Sequence, residues 1–332
     1  MIGDKKVVYS AVQPTGCITL GNYIGAIRNW LKLEDYLSIF AIADLHALTV
    51  RQVPAEFRKR ALSFFAQYLA CGLDPNKSII YFQSHVPQHA ELTWILNTFT
   101  YVGETGRMTQ YKEKSAKHID NINMGLMDYP VLMASDILLY QSDLVPVGVD
   151  QKQHLEITRD IAIRFNNLYS PTFTIPEGYI PKEGSKIYSL QNPTEKMSKS
   201  DPDVNATISL LDKPDDIMRK FKRAMTDSDG EICVRDDKPG INNLLSIFST
   251  VTERNVEEIV NEYQGKGYAK LKNDVGESVV ELLSPIQAKY DKLITDKDYL
   301  LSIAKDGAIK AQGIARKTLS KVYKKVGLVE LK

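Results

Sequence analysis

Across the first 160 residues, short runs of apolar and β-branched residues alternate with longer stretches in which apolar positions recur every three or four residues. That alternation predicts βαβ units building a parallel sheet. Strands are expected over 7–12, 38–43, 78–83 and 143–147. A first helix is expected from about Gly21, because Tyr23, Ile24, Ile27, Trp30 and Leu31 share one face. A helix over 54–70 has Pro54 in its first turn and Gly72 just past its end, Pro87 opens another that runs to about 101, and 129–140 is helical. Beyond a Lys/Ser-rich segment at 196–200 the strand-like runs stop. There Ile241, Leu244, Leu245, Phe248 and Val251 keep a helical period, so a helical second domain is expected from about residue 201.

A chain of 332 residues is long enough for about two domains. Its 42 Lys+Arg against 41 Asp+Glu, with 43% hydrophobic residues, exclude a disordered, fibrous or acidic-tail protein. The longest apolar runs, such as 38–43, fall far short of the ~20 residues that span a bilayer, so no membrane segment is expected. Three scattered cysteines, Cys17, Cys71 and Cys233, suit a reducing cytoplasm. Among the histidines only His85 and His89 have helical spacing, and they straddle Pro87 without an HExxH pattern, so no protein-held metal is expected. Residues 301–332 carry eight Lys/Arg against two Asp/Glu. A solvated terminal helix or a polyanion contact would each produce that excess.

Ligands of a parallel sheet sit beyond the carboxyl ends of its strands, which draws attention to the loop after the first one. It reads Gln13-Pro14-Thr15-Gly16-Cys17-Ile18-Thr19-Leu20-Gly21-Asn22. The chain has neither GxGxxG nor GxxxxGK[ST], which argues against dinucleotide dehydrogenases and P-loop ATPases. Gly21 would let a ligand approach the backbone, and Asn22 offers an amide at a helix N-terminus, although an ordinary turn and cap would use the same residues. The second element, Lys196-Met197-Ser198-Lys199-Ser200, brings two ammonium groups and two hydroxyls to one short segment, suited to the charge that develops on a triphosphate as it is cleaved. On a third element Tyr129, Met133, Asp136 and Tyr140 are spaced by four, three and four and share one helix face. A buried Asp136 needs a donor, from the protein or from a ligand N–H.

The pentapeptide 196–200 and the Thr19-Leu20-Gly21-Asn22 segment resemble, in the right order, the two signatures of class I aminoacyl-tRNA synthetases. With Gln13-Pro14-Thr15-Gly16, the stretch 129–140, Gly148-Val149-Asp150-Gln151-Lys152-Gln153-His154 and, in the helical part, Gly240-Ile241 with Asn243-Leu244-Leu245 and Gly265-Lys266-Gly267-Tyr268, nearly the whole chain resembles the bacterial tryptophanyl-tRNA synthetases. Small departures are Ala11, where many members have glycine, and Val149, where many have glutamate.

The resemblance implies a Rossmann-like α/β catalytic domain over 1–202, an all-helical anticodon-binding domain over 203–300 and a basic helical segment over 301–332. It implies a tryptophan site in which Asp136 accepts the indole N–H, Tyr9 and Met133 line the apolar part, and Tyr129 and Gln151 hold the ammonium and carboxylate ends. It implies an ATP site made of Gln13, Pro14, Thr15, Gly21, Asn22, Gly148, Val149, Asp150, Ile187, Lys196, Met197, Ser198, Lys199 and Ser200, with Lys114, Lys196 and Lys199 as the catalytic cations and magnesium carried by ATP. Asp150 and Gln153 also fit a helix capping box. The partners implied are L-tryptophan, ATP, tRNA(Trp) and a second copy of the chain, in the cytoplasm. A tyrosyl enzyme, a non-catalytic RNA-binding paralogue and a simple adenylyltransferase are the competing readings.

Overall fold

The computed structural model describes residues 5–33, 35–117, 122–148, 151–179, 186–199 and 201–330. Five parallel strands form one sheet: β1 (Val7–Val12), β2 (Leu37–Ile42), β3 (Ser78–Phe82), β4 (Leu144–Pro146) and β5 (Glu177–Tyr179), in the spatial order β3-β2-β1-β4-β5. The four expected strands are present, each within two residues of its predicted ends. β5 was not expected, because Glu-Gly-Tyr has no hydrophobic run to announce it; pairing with β4 makes it a strand.

The strands are apolar at consecutive positions because both faces of the sheet are covered. Phe40, Ile42, Ile80 and Phe82 pack on one face against helix Pro54–Ala70, and that core runs on without a break into the helices of the C-terminal half. Val7, Tyr9, Ile39, Ala41 and Tyr81 pack on the other face with residues of helices Gln88–Asn97, Met124–Leu138 and Lys152–Leu168. The first helical stretch opens at Leu20 under a Thr19 cap and passes through a π-helical segment, Tyr23–Ile27, that the apolar spacing does not distinguish from an α-helix. Two helices differ in extent from expectation. Gln88–Asn97 stops about four residues early, and Met124–Leu138 starts five residues before Tyr129, capped by Asn123, whose Oδ1 accepts from the Leu126 N–H at 3.1 Å.

Beyond residue 201 the described chain is helical where it is regular, beginning with Pro214–Lys222. Before that, residues 206–210 lie along the first loop, with hydrogen bonds from Leu20 N to Ile208 O and from Leu210 N to Ile18 O. The last helix, Lys297–Val326, returns to cover β3, the edge strand. It approaches so closely at Gly307 that a Cβ there would stand 1.9 Å from the Ile80 carbonyl oxygen, so only glycine fits. Among the described residues no helix is long and apolar enough to cross a membrane.

Candidate active site

β1 lies between β2 and β4, so the connections leave it toward opposite sides and a crevice opens beyond the carboxyl ends of β1 and β4. A cavity of about 200 Å³ occupies it, lined by Tyr9, Gln13, His46, Tyr129, Met133, Asp136 and Gln151 among others. All five residues expected at the amino-acid end are therefore in one cavity, together with Gln13 from the first loop.

Asp136 is 1% exposed. Its Oδ1 accepts from Gln83 Nε2 at 2.7 Å and from His89 Nδ1 at 2.6 Å, and its Oδ2 accepts from His46 Nε2 at 2.8 Å. Protein donors, one of the two alternatives the residues left open, thus take three of the positions of a carboxylate that the resemblance gave to a ligand N–H. A carboxylate has about four acceptor positions, so one remains, on Oδ2. Burial favours the neutral acid, but the neighbouring His89 and His46 outweigh it and hold Asp136 down to about 2. The cavity therefore contains a fixed anion with unspent acceptor capacity.

Around it, Tyr129 and His154 Nε2 are joined by a 2.8 Å hydrogen bond, and the Tyr129 hydroxyl also reaches Gln110 Oε1 at 3.3 Å. Tyr9 stacks on Tyr140, ring centroids 5.4 Å apart and 11° from parallel. Tyr140, expected on the same face as Asp136, lies two residues past the helix end and behind the cavity wall, bonded to Tyr81 and His89.

Several of the residues expected at the nucleotide end meet beside this cavity. Thr19 and Asn22 form a reciprocal cap, with Asn22 N donating to Thr19 Oγ1 at 3.1 Å and Thr19 N donating to Asn22 Oδ1 at 3.3 Å. Gly21 faces Ile187 and Met197; a Cβ there would contact both at 3.5 Å, an ordinary distance, so protein packing alone does not demand glycine. Met197 is buried and its N–H donates to the Ile187 carbonyl at 3.0 Å, which pairs the 196–199 segment with the backbone at 187–188. Lys196 is exposed, and Lys199 Nζ donates to the Gln13 carbonyl at 3.1 Å. Burial lowers the Lys199 ammonium to about 8, with Cys17 acting in the opposite direction. Gln13 therefore joins the two ends: it lines the cavity that contains Asp136, and its carbonyl holds a lysine of the 196–200 segment.

Val149, Asp150 and Ser200 lie outside the described residues. So does the side chain of Lys114, whose backbone belongs to helix Thr109–Lys117. The expected capping partner of Asp150, Gln153, is engaged elsewhere: its Oε1 accepts from the Thr109 N–H at 3.0 Å.

A family model for the class I tRNA synthetases (W and Y) matches residues 3–284. The chain belongs to this family. It is 53% identical to the tryptophan–tRNA ligase of Clostridium tetani over 330 residues, covering 99% of this chain and 98% of the relative. Among solved structures it resembles tryptophanyl-tRNA synthetase from Mycoplasma pneumoniae, with TM-score 0.88, 34% identity and 98% of both chains covered. It also resembles the Campylobacter jejuni tryptophanyl-tRNA synthetase complexed with ADP and tryptophan, with TM-score 0.85, 34% identity and coverage of 97% of this chain and 100% of that one.

Around the candidate site of this class I synthetase stand residues that the sequence pattern did not single out. His46 and Gln83 follow the carboxyl ends of β2 and β3, the positions where the crevice rule directs attention, and that rule would have found them. Asn243 is another. It is buried, and its Oδ1 accepts from Tyr188 N at 2.9 Å while its Nδ2 donates to Tyr188 O at 3.0 Å, which fixes the backbone next to Ile187. The helix bearing it packs close to the chain at Met225 because Gly240 has no side chain; a Cβ would stand 2.1 Å from the Met225 carbonyl oxygen. Local periodicity carries no signal for such a contact, since its partners are 55 residues apart.

Proposed function

We propose that the protein is a tryptophan–tRNA ligase that uses Asp136 to read the indole N–H. It activates L-tryptophan with ATP and transfers it to tRNA(Trp). The observation that carries this reading is the adjacency through Gln13: an aromatic-lined cavity with one acceptor position on a buried carboxylate opens beside a loop whose lysine sits on the same residue. Tyr9 and Met133 form the apolar wall, and Tyr129 and Gln151 hold the ammonium and carboxylate. Gln13, Pro14, Thr15, Gly21, Asn22, Gly148, Val149, Asp150 and Ile187 bind the nucleotide, with Met197, Ser198 and Ser200 from the lysine loop. The relatives' tryptophan specificity and full-length similarity support the same assignment.

In the first step the tryptophan carboxylate attacks the α-phosphorus of ATP in line, forming tryptophanyl-adenylate as the bond to pyrophosphate breaks. The nucleophile is already ionised, so positioning and cations supply the catalysis, with Lys196, Lys199 and Lys114 on the departing pyrophosphate. Among the described residues the donor set at this end consists of ammonium groups, hydroxyls and amides, which suits phosphate rather than a metal. Magnesium therefore enters as the counter-ion of ATP. In the second step the 2′-hydroxyl of the terminal tRNA adenosine attacks the adenylate carbonyl and AMP leaves.

Residues 1–202 carry this chemistry, 203–300 read the anticodon, and 301–332 form the basic terminal segment. The protein works as a homodimer in the cytoplasm. Leu48 and Trp94, 56% and 75% exposed, line a second, largely apolar hollow, an unusual expense for a monomer and a natural face for a second copy. Charging of a tRNA(Trp) transcript with labelled tryptophan tests the whole reading. The account expects charging of a transcript ending in adenosine and none of one ending in 2′-deoxyadenosine, at a solution mass twice 37.4 kDa by light scattering. Charging of both transcripts, or of neither, contradicts it.

A further inference from the structure

The acceptor groups of Asp136 are not equivalent. Oδ1 is taken twice, by Gln83 Nε2 and His89 Nδ1, whereas Oδ2 is taken once, by His46. His89 is itself fixed from behind. Its Nε2 lies 3.0 Å from both the Tyr81 and Tyr140 hydroxyls, and Tyr81 donates to Tyr140 at 2.7 Å. Burial, the largest influence on each, pushes both phenols well above their ordinary range, so they stay protonated and act as donors. The proton order that satisfies every group runs from Tyr81 to Tyr140, from Tyr140 to His89 Nε2, and from His89 Nδ1–H to Asp136. The backbone of His89 is held as well, since its carbonyl accepts from Ser135 Oγ at 2.8 Å and from Thr93 Oγ1 at 2.7 Å. Ser135 precedes Asp136, so this clamp ties His89 to the helix that carries the carboxylate.

We propose that His89 and Gln83 are positioning residues for amino-acid specificity: by occupying Oδ1 they orient the Asp136 carboxylate and leave one acceptor position, on Oδ2 beside His46, for a single ring N–H. The inference rests on reading the cavity as the tryptophan side-chain pocket. A carboxylate free to rotate would offer acceptor positions in several directions and accept donors placed differently. One pinned by two protein donors accepts only from a ring that carries its N–H at one place. Selectivity then belongs to the Tyr81–Tyr140–His89 chain and Gln83 as much as to Asp136.

The test is pyrophosphate exchange with L-tryptophan and with 3-(benzothiophen-3-yl)alanine, in which sulfur replaces the ring N–H. The variants are His89→Leu, which removes the donor; His89→Asn, whose amide nitrogen stands where Nδ1 stood; and Gln83→Met, which keeps the shape without the donor. His89→Leu and Gln83→Met are expected to lower kcat/KM for tryptophan by tenfold or more, mainly through KM, and to shrink the preference over the sulfur analogue by about the same factor. His89→Asn is expected to restore most of that preference. Equal losses for both substrates, or His89→Asn behaving like His89→Leu, would overturn the proposal; should His89→Leu fail to fold by circular dichroism, Gln83→Met decides. Exchange by the wild-type protein separates the two levels. No exchange with tryptophan overturns the pocket assignment itself, whereas strong wild-type preference with equal losses in the variants overturns only the positioning role.

Discussion

Replacing Asp136 by Asn keeps the side-chain volume and removes the charge from the centre of a three-donor network. The asparagine carbonyl can take the place of Oδ1 and accept from Gln83 and His89 as before. Its NH2 then stands where Oδ2 was, facing His46 Nε2, which must become an acceptor by changing tautomer. Three charge-assisted bonds become neutral ones, a loss of about 1 kcal/mol each, so unfolding in urea is expected about 3 kcal/mol easier while the fold persists. The effect on the substrate is sharper, because the indole N–H meets a donor instead of an acceptor. Loss of one charge-assisted hydrogen bond, about 1.5–3 kcal/mol, lowers kcat/KM for tryptophan by roughly 10- to 150-fold. Preference for tryptophan over its benzothiophene analogue should collapse to about threefold or less, since neither ring then has a partner. The assay is pyrophosphate exchange with both substrates, alongside urea titration. Unchanged preference in a folded Asp136→Asn protein would remove Asp136 from the role assigned to it.

Three further predictions test other parts of the site and fold. Lys199→Ala should slow adenylate formation in single-turnover experiments far more than it weakens tryptophan binding; moreover, because burial lowers this ammonium to about 8, wild-type kcat/KM for ATP should fall as pH rises through about 8, and the variant should lack that limb. Asn243→Ala leaves the Tyr188 N–H and C=O without their partner, so KM for ATP should rise several-fold with little change in KM for tryptophan in the same exchange assay. Gly307→Ala places a methyl group 1.9 Å from the Ile80 carbonyl oxygen, so the last helix must move off β3, and urea unfolding should show a loss of at least about 3 kcal/mol.

The sequence made legible whatever local pattern encodes. β1, β2 and β3 show as apolar runs because both faces of the sheet are buried, and helix Pro54–Ala70 is bracketed by its own proline and by Gly72. Tyr129, Met133 and Asp136 were found to share a face because helical spacing says so, and the cavity contains all three. What stayed hidden depends on residues far apart in the chain. Gln83 and His46 reach Asp136 across 53 and 90 positions, and nothing near either residue announces the meeting. Spacing paired His89 with His85, whereas its hydrogen bonds go to Asp136, Tyr81 and Tyr140. β5 was invisible for a related reason: three residues with a glycine in the middle become a strand only through pairing with β4.

The central claim is that this cavity and the neighbouring lysine loop together activate one amino acid with ATP. ATP–pyrophosphate exchange in magnesium buffer without tRNA, run with each of the twenty amino acids in turn, tests it most directly. The account predicts exchange with tryptophan alone. Exchange with tyrosine would contradict the reading of Asp136 and its pocket, and no exchange with any amino acid, from folded protein, would contradict the claim that the site performs activation at all.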